Sequence, residues 1–255
     1  MKLQPYFEFA KELAYQAGKI SLEYYQKGIA AEYKLDNSPV TVADRAVEEY
    51  IRHRLETTYP THAIVGEEYG AGDKASESIR WIIDPIDGTK SFMRGVPLYA
   101  VLIGMEVDGV VRVGAAYFPA LDEMLCAADG EGCWWNGRRA RVSAIDRLEE
   151  SFVCFTSMRV GMDEQHSYLW STVVKRAYAM RGWSDAYGYL AVATGRAEVV
   201  LDTVMKVWDC GPFPPIFRES GGFFGSWSGE EGHQHGEALA CNSFLLPTLL
   251  SIYKS

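Results

Sequence analysis

Acidic residues follow short apolar runs at three places in the sequence, and each place has side chains that can bind a metal ion. These places are the segment 66–68 (Gly-Glu-Glu), the segment 84–89 (Asp-Pro-Ile-Asp-Gly-Thr) and Asp209, which follows Trp208. Carboxylates at the ends of buried strands are costly to desolvate and repel one another unless a cation lies among them. Oxygen ligands without histidine or cysteine favour a hard ion, Mg²⁺ or Mn²⁺, over zinc. The three places together predict a metal site.

The segment 84–89 is the most specific of the three. Pro85 fixes the chain after Asp84, and the next carboxylate follows three residues later, close enough to hold one or two ions. Gly88 permits an unusual backbone angle, and Thr89 can begin a helix. The N-terminus of a helix beside cations favours a phosphate, because its free N–H groups and its dipole attract an anion. This segment therefore predicts a phosphate site next to the metal.

Each of these features also has a structural interpretation. Asp-Gly is common in turns, Glu67-Glu68 is typical of a solvated pair, and Asp209 could simply cap a helix. The residues from Thr41 to Asp44 fit a capping box, so Asp44 can act at a helix start, at the site, or at both. The conjunction of three acidic places is much rarer than any one of them, and it favours the metal site.

The residue types also restrict how a phosphate ester would be attacked. Phosphatases that form a phospho-aspartate carry two aspartates separated by one residue, whereas two residues separate Asp84 from Asp87. No histidine lies near these segments to form a phosphohistidine, and Cys126 and Cys133 lack the arginine-rich loop of a cysteine phosphatase. Attack by a water that a metal activates is the simplest chemistry that remains.

The charge balance restricts the kinds of partner. Among the 255 residues, 34 Asp and Glu outnumber 25 Lys and Arg, which gives a net charge of -9 at pH 7. A surface of this sign repels nucleic acid and anionic membranes, and no Lys/Arg cluster offsets it. A phosphate-bearing ligand would also be repelled unless metal cations reversed the local potential. We therefore expect a small-molecule partner, with no nucleic-acid and no membrane partner.

The cysteines and the hydropathy pattern indicate the compartment. Five cysteines, an odd number without a C-x-x-C pair, are typical of buried thiols in a reducing compartment. The N-terminal segment lacks the basic and apolar regions of a secretory signal, and no apolar stretch approaches the roughly 20 residues of a membrane span. We expect a soluble, cytoplasmic protein.

Hydrophobic periodicity predicts two helices and then an antiparallel sheet in the first part of the chain. Apolar residues recur at three- and four-residue steps over residues 7–24, and a second helix begins near Thr41 and runs toward Pro60. The dipeptides Asp108-Gly109 and Asn136-Gly137 predict tight turns. The predicted strands cover residues 63–65, 81–83, 101–107, 110–117, 124–127 and 133–135.

From about residue 150, strands and helices alternate. The predicted strands cover residues 152–155, 178–180, 197–201, 223–224 and 239–240, and the predicted helices cover residues 168–175, 185–194 and 245–253. No internal repeat or long linker is present. We predict a single domain over residues 1–255, in which an α+β lobe (about 1–148) and an α/β lobe (about 149–255) share one site.

The acidic segments resemble the signature blocks of the inositol monophosphatase family. The segments 66–68 and 84–89, and Trp208-Asp209 followed by the segment 219–222, are similar to three blocks in the same order, and the segment 41–44 resembles an upstream block. The resemblance runs from about Lys34 to Gly222. It implies a layered αβαβα sandwich and Mg²⁺-dependent hydrolysis of small phosphate monoesters.

The same resemblance implies roles for individual residues. It implies that two or three Mg²⁺ ions, or Mn²⁺, are bound by the carboxylates of Glu67, Asp84, Asp87 and Asp209 and by the carbonyl of Ile86. It implies that Glu67 and Thr89, with Asp44 behind Thr89, act on the attacking water, and that Asp87, Gly88 and Thr89 lie at the phosphate. A homodimer is common in the family.

A further stretch indicates the substrate. The segments 181–189 and 192–198 are similar to the branch of the family that hydrolyses histidinol phosphate, and they imply substrate contacts from Ser184, Asp185 and, further along, Asp202. A buried aspartate suits a cationic substrate through charge-assisted hydrogen bonds. Asp185 could instead only cap the following helix. Inositol monophosphate is the second candidate, followed by sugar bisphosphates and nucleotide 3′-phosphates, and a regulatory role with a protein partner is a candidate of another class.

Two segments depart from simple expectations. Three prolines follow Asp209 where most family members have small residues, so the next helix should begin late, near Pro214 or Pro215. His233 and His235 form an H-x-H pair in a loop rich in Gly and Glu, which we interpret as solvated because that spacing alone is a weak metal signal.

Overall fold

The chain begins with two helices that are joined through a short strand pair. In this computed structural model residues 1–34, 39–72, 78–157, 163–183 and 185–255 are described. The helices are α1 (Gln4–Tyr24) and α2 (Val42–Thr58), and the antiparallel strands between them are β1 (Ala31–Tyr33) and β2 (Pro39–Thr41). The apolar positions of α1 that set its predicted period, such as Phe7, Leu13 and Ala17, are buried. Both predicted helices are confirmed, whereas the short strand pair was not predicted.

The first of two large sheets is mostly antiparallel. Its strands are β3 (Ala63–Gly66), β4 (Gly70–Ala71), β5 (Ile79–Asp87), β6 (Ala100–Val107), β7 (Val110–Phe118), β8 (Glu123–Ala128), β9 (Gly132–Trp135) and β10 (Arg138–Arg139). They lie in the order β10-β9-β8-β7-β6-β5-β3-β4, with only β3 and β5 parallel. Asp108 and Gly109, and likewise Asn136 and Gly137, all have positive φ angles, which the predicted tight turns require.

The second sheet belongs to the later part of the chain. Its strands are β11 (Phe152–Cys154), β12 (Ala179–Arg181), β13 (Val199–Asp202), β14 (Gly222–Gly225) and β15 (Ala238–Asn242). They lie in the order β12-β11-β13-β15-β14, and the first three are parallel. The predicted division into lobes at about residue 148 stays a prediction, and it falls between the last strand of the first sheet and the first strand of the second.

Helices form three layers around the two sheets. The remaining helices are α3 (Thr89–Met93), α4 (Glu164–Arg176), α5 (Ala186–Ala193), α6 (Val207–Cys210), α7 (Phe213–Ser220) and α8 (Leu246–Tyr253), with a 3₁₀ turn at Leu148–Glu150. Helices α1 and α2 cover the outer face of the first sheet, α5, α6 and α7 lie between the sheets, and α4 and α8 cover the second sheet. This order of layers is the predicted αβαβα sandwich.

The middle layer joins the two halves into one apolar core. Leu102 and Phe118 of the first sheet belong to the same buried cluster as Phe213 of α7 and Phe224 of the second sheet. Burial of large apolar side chains is the main favourable term in folding. The two sheets are therefore held against the same central helices, and residues from both halves can meet at one site.

The proline-rich segment begins its helix slightly earlier than predicted, at Phe213. Pro212 precedes the helix, and Pro214 and Pro215 lie in its first turn, where the backbone N–H groups have no acceptor within the helix. A side chain at Gly114 in β7 would overlap the carbonyl oxygen of Pro212. The backbone between α6 and α7 thus packs directly on the first sheet, which fixes the segment that follows Asp209.

The interpretation of His233 as solvated is wrong. Its side chain is buried, and its Nε2 lies 3.1 Å from Oε2 of Glu106, which also accepts a hydrogen bond from Arg80 at 2.8 Å. The loop after β14 therefore packs against β6, and composition could not reveal this because the carboxylate lies more than 100 residues away. His235 is partly exposed, with Nδ1 3.9 Å from Glu230.

The cysteines and the apolar character of the helices can be compared with the sequence predictions. All five cysteines are buried free thiols, as predicted. Among the described helices, none combines the length and the apolar character that crossing a bilayer would need.

Candidate active site

Three carboxylates converge where the first sheet meets the middle layer of helices. Asp84 and Asp87 lie at the end of β5, where the pairing with β6 shifts register between them, and Asp209 lies on α6. One oxygen from each of the three lies within 4.8 Å of the others. The register shift matters because residues three apart on a regular strand point to opposite faces. The irregular strand end lets both aspartates face α6.

Backbone N–H groups orient each of these carboxylates. Ile86 N–H donates to Asp84 Oδ1 at 3.0 Å, Ala186 N–H donates to Asp87 Oδ2 at 2.7 Å, and Lys206 N–H donates to Asp209 Oδ2 at 2.7 Å. Each carboxylate thus has one oxygen anchored by the backbone and a second oxygen left for a cation. Such an arrangement fits a hard divalent ion, which takes oxygen ligands from carboxylates held in place.

The electrostatics of the three carboxylates also favour a cation. Burial, followed by the negative charges of Glu67 and Asp87, raises the pKa of Asp84 well above its usual value. Burial, followed by the charges of Asp185 and Asp209, does the same to the pKa of Asp87, and burial raises the pKa of Asp209 to about 7. Mutually repelling carboxylates remain ionised at neutral pH only when a positive charge lies among them. The residues present therefore fit a divalent metal.

Glu67 lies beside the three aspartates but is paired with a lysine. Its Oε1 accepts a hydrogen bond from Lys34 Nζ at 2.8 Å, and the same ammonium donates to Glu68 Oε1 at 2.8 Å. Burial raises the pKa of Glu68 to about 7 even though Lys34 opposes the shift. This lysine was not predicted as a site residue, because nothing local connects it to a turn more than 30 residues away.

A buried carboxylate on α2 fixes the turn that carries Glu67. Glu48 accepts hydrogen bonds from Glu68 N–H at 2.8 Å, from Tyr69 N–H at 3.2 Å and from Arg52 Nε at 2.8 Å. A side chain on Gly66 would overlap the Glu48 carboxylate, so glycine is needed for this close approach. Glu48 was not predicted as a site residue. The only signal was its four-residue spacing from Arg52 on a helix, which is common on exposed faces.

Thr89 and Asp44 are within hydrogen-bonding distance, as the family resemblance implied for two residues that act together. Thr89 Oγ1 lies 3.3 Å from Asp44 Oδ1 and 3.1 Å from the carbonyl oxygen of Ile86. Asp44 also forms the predicted capping box, since its Oδ2 accepts hydrogen bonds from the N–H and hydroxyl of Thr41 at 2.8 and 2.6 Å. Asp44 therefore makes both contacts at once.

Helix α3 has only five residues, so its dipole adds little to anion binding.

Most of the predicted site residues line one cavity, which has a volume of about 400 Å³. Its walls include the predicted metal ligands, Gly88, Thr89 and Asp185. Ser91, Thr156 and Ser157 also line it and were not predicted. Ser184 lies outside the described residues. Most of the predicted site is therefore brought together in one concave space, as is usual for small-molecule sites.

Asp185 lies in this cavity in an unusual backbone conformation. Its φ is 54° and its ψ is -151°, a region that residues other than glycine rarely adopt. The side chain makes no capping hydrogen bond to α5, so it does not act as the helix cap that the sequence left open. Ser91 Oγ lies 3.4 Å from Asp185 Oδ2, and the N–H of Asp185 donates to Thr156 Oγ1 at 3.0 Å.

Asp202 lies at the end of β13, in the second sheet. It is 4% exposed, and burial raises its pKa. Its Oδ1 accepts the N–H of Thr156 at 2.8 Å and its Oδ2 accepts the hydroxyl of Tyr189 at 2.7 Å. It lines a smaller cavity of about 80 Å³ next to the main one. Its predicted contact with substrate stays a prediction.

The fold is shared with a solved structure. The chain superposes on the extragenic suppressor protein suhB of Bartonella henselae with a TM-score of 0.88 and 27% identity, over 96% of each chain. Among proteins of known name, a histidinol-phosphatase of Chlorobaculum parvum is 40% identical over 238 residues, which cover 93% of this chain and 92% of the relative. The Nus factor SuhB of Haemophilus influenzae is 30% identical over 98% of this chain and 96% of its own length.

The acidic site and the similarity to a histidinol-phosphatase over 93% of the chain place this protein among the phosphoric monoester hydrolases. The profile that describes the Inositol monophosphatase family matches residues 2–253. The chain belongs to the inositol monophosphatase family, so the resemblance inferred from its acidic segments is confirmed.

Proposed function

We propose that this protein hydrolyses a small phosphate monoester with the help of Mg²⁺, and that histidinol phosphate is its preferred substrate. The observation that carries the proposal is the convergence of the Asp84, Asp87 and Asp209 carboxylates within 4.8 Å, in a cavity that also contains Thr89 and Asp185. Such a cavity has acceptors for cations and, beside them, a further carboxylate for a cationic group of the substrate.

The residues that would hold the metal are Glu67, Asp84, Asp87, Asp209 and the carbonyl of Ile86. Two or three Mg²⁺ ions, with Mn²⁺ as a substitute, would neutralise the phosphate oxygens and lower the pKa of an attacking water. Lys34 pairs with Glu67 in the structure, so this carboxylate would have to exchange or share its lysine when it binds a cation. The backbone of Gly88 and Thr89 would lie under the phosphate.

Thr89 and Asp44 would orient the water. The Thr89 hydroxyl has carboxylate and carbonyl acceptors at 3.3 and 3.1 Å, so its hydrogen is directed toward them and its lone pairs face the cavity. A lone pair on Thr89 Oγ1 can accept a hydrogen bond from the water, while Glu67 supplies a second acceptor at the same cavity wall. These contacts would orient the water toward the phosphate and favour departure of its proton.

Asp185 would select the substrate. The metal end of the cavity can accept any phosphomonoester, so discrimination must come from the other end of the substrate. Histidinol carries an ammonium and an imidazole, whereas an inositol offers only hydroxyl groups. A half-buried carboxylate favours the cation through a charge-assisted hydrogen bond. The 40% identity to a histidinol-phosphatase supports the same choice.

Other candidates follow from the same family. Inositol monophosphate is the second candidate substrate, and sugar bisphosphates and nucleotide 3′-phosphates come after it. A regulatory, protein-binding role is supported by the 30% identity to a Nus factor, which extends over nearly the whole chain. A homodimer and a cytoplasmic location complete the proposal.

A panel of phosphomonoesters tests the proposal. We expect phosphate release with Mg²⁺ to be fastest for histidinol phosphate. Asp185→Ala should lower kcat/KM for this substrate by about 10- to 150-fold, the loss of one charged hydrogen bond of about 1.5 to 3 kcal/mol, and should change an aryl phosphate little. Asp146→Ala, at an exposed position outside the cavity, is the control.

The outcomes separate the candidates. Absence of histidinol phosphate turnover by the unmutated protein, with turnover of inositol monophosphate, would replace the preferred substrate by the second one. Equal losses on all substrates in Asp185→Ala would contradict the recognition role. No phosphate release from any monoester, together with co-purification of a transcription complex, would favour the regulatory role.

A further inference from the structure

We infer that Thr156 is a positioning residue that sets substrate specificity by fixing Asp185 against the buried carboxylate of Asp202. The inference rests on the proposed function, because it concerns the side chain proposed to meet the cationic end of the substrate. It assigns Asp202 an action through Thr156 instead of a contact with the substrate itself.

The backbone of Asp185 is strained. Its φ of 54° with a ψ of -151° is costly for any residue with a Cβ atom, so neighbouring groups must hold it in place. Two consecutive N–H groups supply that restraint. The N–H of Asp185 donates to Thr156 Oγ1 at 3.0 Å, and the N–H of Ala186 donates to Asp87 Oδ2 at 2.7 Å.

Thr156 is itself anchored. Its N–H donates to Asp202 Oδ1 at 2.8 Å. Asp202 in turn accepts the hydroxyl of Tyr189 at 2.7 Å, and its carbonyl oxygen accepts Trp227 Nε1 at 3.2 Å. Tyr189 and Trp227 are both fully buried. Thr156 is exposed on the cavity side but tied to the core of the second lobe on the other.

The Thr156 hydroxyl can act as a donor and as an acceptor. A hydroxyl has one hydrogen and two lone pairs, so it can donate to a carboxylate and accept from an N–H at the same time. The N–H of Asp185 donates to the Thr156 oxygen, so one lone pair of this hydroxyl is turned toward Asp185. Valine has the same shape as threonine but cannot accept the N–H of Asp185.

The result is a defined direction for the Asp185 side chain. In the described structure its carboxylate faces Gly88, where an added Cβ would lie 3.1 Å from Oδ2, and Ser91 Oγ lies 3.4 Å from the same oxygen. Without the Thr156 acceptor, the backbone of Asp185 can relax toward an ordinary negative φ. The carboxylate would then leave the position from which it meets a cation.

The test uses three threonine variants. Thr156→Val removes the hydroxyl, Thr156→Ser retains it, and Thr194→Val is the matched control, since the Thr194 hydroxyl binds a carbonyl at the other end of α5. We expect Thr156→Val to lower the ratio of kcat/KM for histidinol phosphate to that for a neutral aryl phosphate by about 10-fold, mainly through KM. Thr156→Ser and Thr194→Val should retain the ratio.

A double variant separates positioning from a general structural role. In the Asp185→Ala background, Thr156→Val should change the ratio no further, because residues that act through one another are not additive. An unchanged ratio in Thr156→Val, equal losses on both substrates, or additive losses in the double variant would each overturn the inference.

A crystal structure of Thr156→Val gives a readout that does not depend on the substrate. If the unmutated protein shows no preference for the cationic substrate, the proposed function fails, and the inference is then judged by the backbone of Asp185 alone. A shift of Asp185 to negative φ in Thr156→Val would support the positioning role. Retention of the φ near 54° would overturn it.

Discussion

Asp87 accepts a hydrogen bond from the backbone N–H of Ala186 at 2.7 Å, across a sequence separation of 99 residues. This bond joins a carboxylate of the first sheet to the first residue of α5 in the middle layer of helices. This N–H belongs to the peptide bond between Asp185 and Ala186. Asp87, proposed to bind metal, is therefore hydrogen-bonded to the backbone of Asp185, proposed to select the substrate.

Asp87→Asn should abolish most activity while raising the stability of the metal-free protein. An amide can still accept the N–H of Ala186, but it removes one of several mutually repelling charges. In a chain of this size each kcal/mol of stability raises Tm by about 2–4 °C. Calorimetry with and without Mg²⁺ should show a metal-dependent rise in Tm for the unmutated protein and for Asp146→Asn, and a much smaller rise for Asp87→Asn. Near-normal turnover in Asp87→Asn would contradict the metal assignment.

Replacing Thr89 should show whether its hydroxyl acts in catalysis or only at the start of helix α3. Thr89→Ser keeps the hydroxyl and should lose little activity, whereas Thr89→Ala and Thr89→Val should lower kcat by about 10²- to 10⁴-fold. Thr57→Ala, which removes an exposed hydroxyl from α2, is the control. Steady-state kinetics at saturating Mg²⁺ measure the effect. If kcat is unchanged in Thr89→Ala, the hydroxyl serves only the local backbone.

Glu48→Gln should weaken the response to metal without removing a ligand. The amide can accept only one of the two N–H groups of the 67–70 turn and presents hydrogens to Arg52, so we expect a loss of about 1–3 kcal/mol in stability. Looser positioning of Glu67 should raise the Mg²⁺ concentration needed for half-maximal activity, and excess Mg²⁺ should restore much of kcat. Glu49→Gln, at the adjacent exposed position, should change neither the stability nor the Mg²⁺ concentration for half-maximal activity. An unchanged Mg²⁺ dependence in Glu48→Gln would limit Glu48 to a role in folding.

His166 should make part of the stability depend on pH. Burial acts to lower the pKa of His166, but hydrogen bonds to Asp163 at 2.7 Å and Glu237 at 2.6 Å outweigh it and raise this pKa above 6.5. The added stability is therefore fully present below the unfolded pKa of about 6.5 and is lost as pH rises through the higher folded value.

The Tm difference between the unmutated protein and His166→Gln tests this dependence. We expect the unmutated protein to be more stable than His166→Gln by about 1 kcal/mol or less at pH 5.5. The corresponding Tm difference should shrink as the pH rises to 9. His53→Gln, at an exposed position of α2, is the control and should show no such trend. A difference that grows with pH would reverse the sign that we expect.

Several elements follow from the sequence alone because their causes are local. The hairpin between β6 and β7 is specified by Asp108-Gly109 and the apolar runs on each side, and α1 is specified by the period of its apolar residues. The family and the acidic segments could also be identified from short motifs. Carboxylates that follow apolar strands are a local signal for a metal site, which forms when the fold brings those strand ends together.

Other relationships were decided only by the tertiary structure. The pairing of Lys34 with Glu67, the packing of His233 on Glu106, and the bond from Thr156 to Asp202 join residues that are 33 to 127 positions apart. Turn chemistry and periodicity act over a few residues, so they specify which segments form strands and helices. The partners of a buried polar side chain depend on how those segments pack, because an ionisable group excluded from water must be paired with whichever partner the packing brings near it.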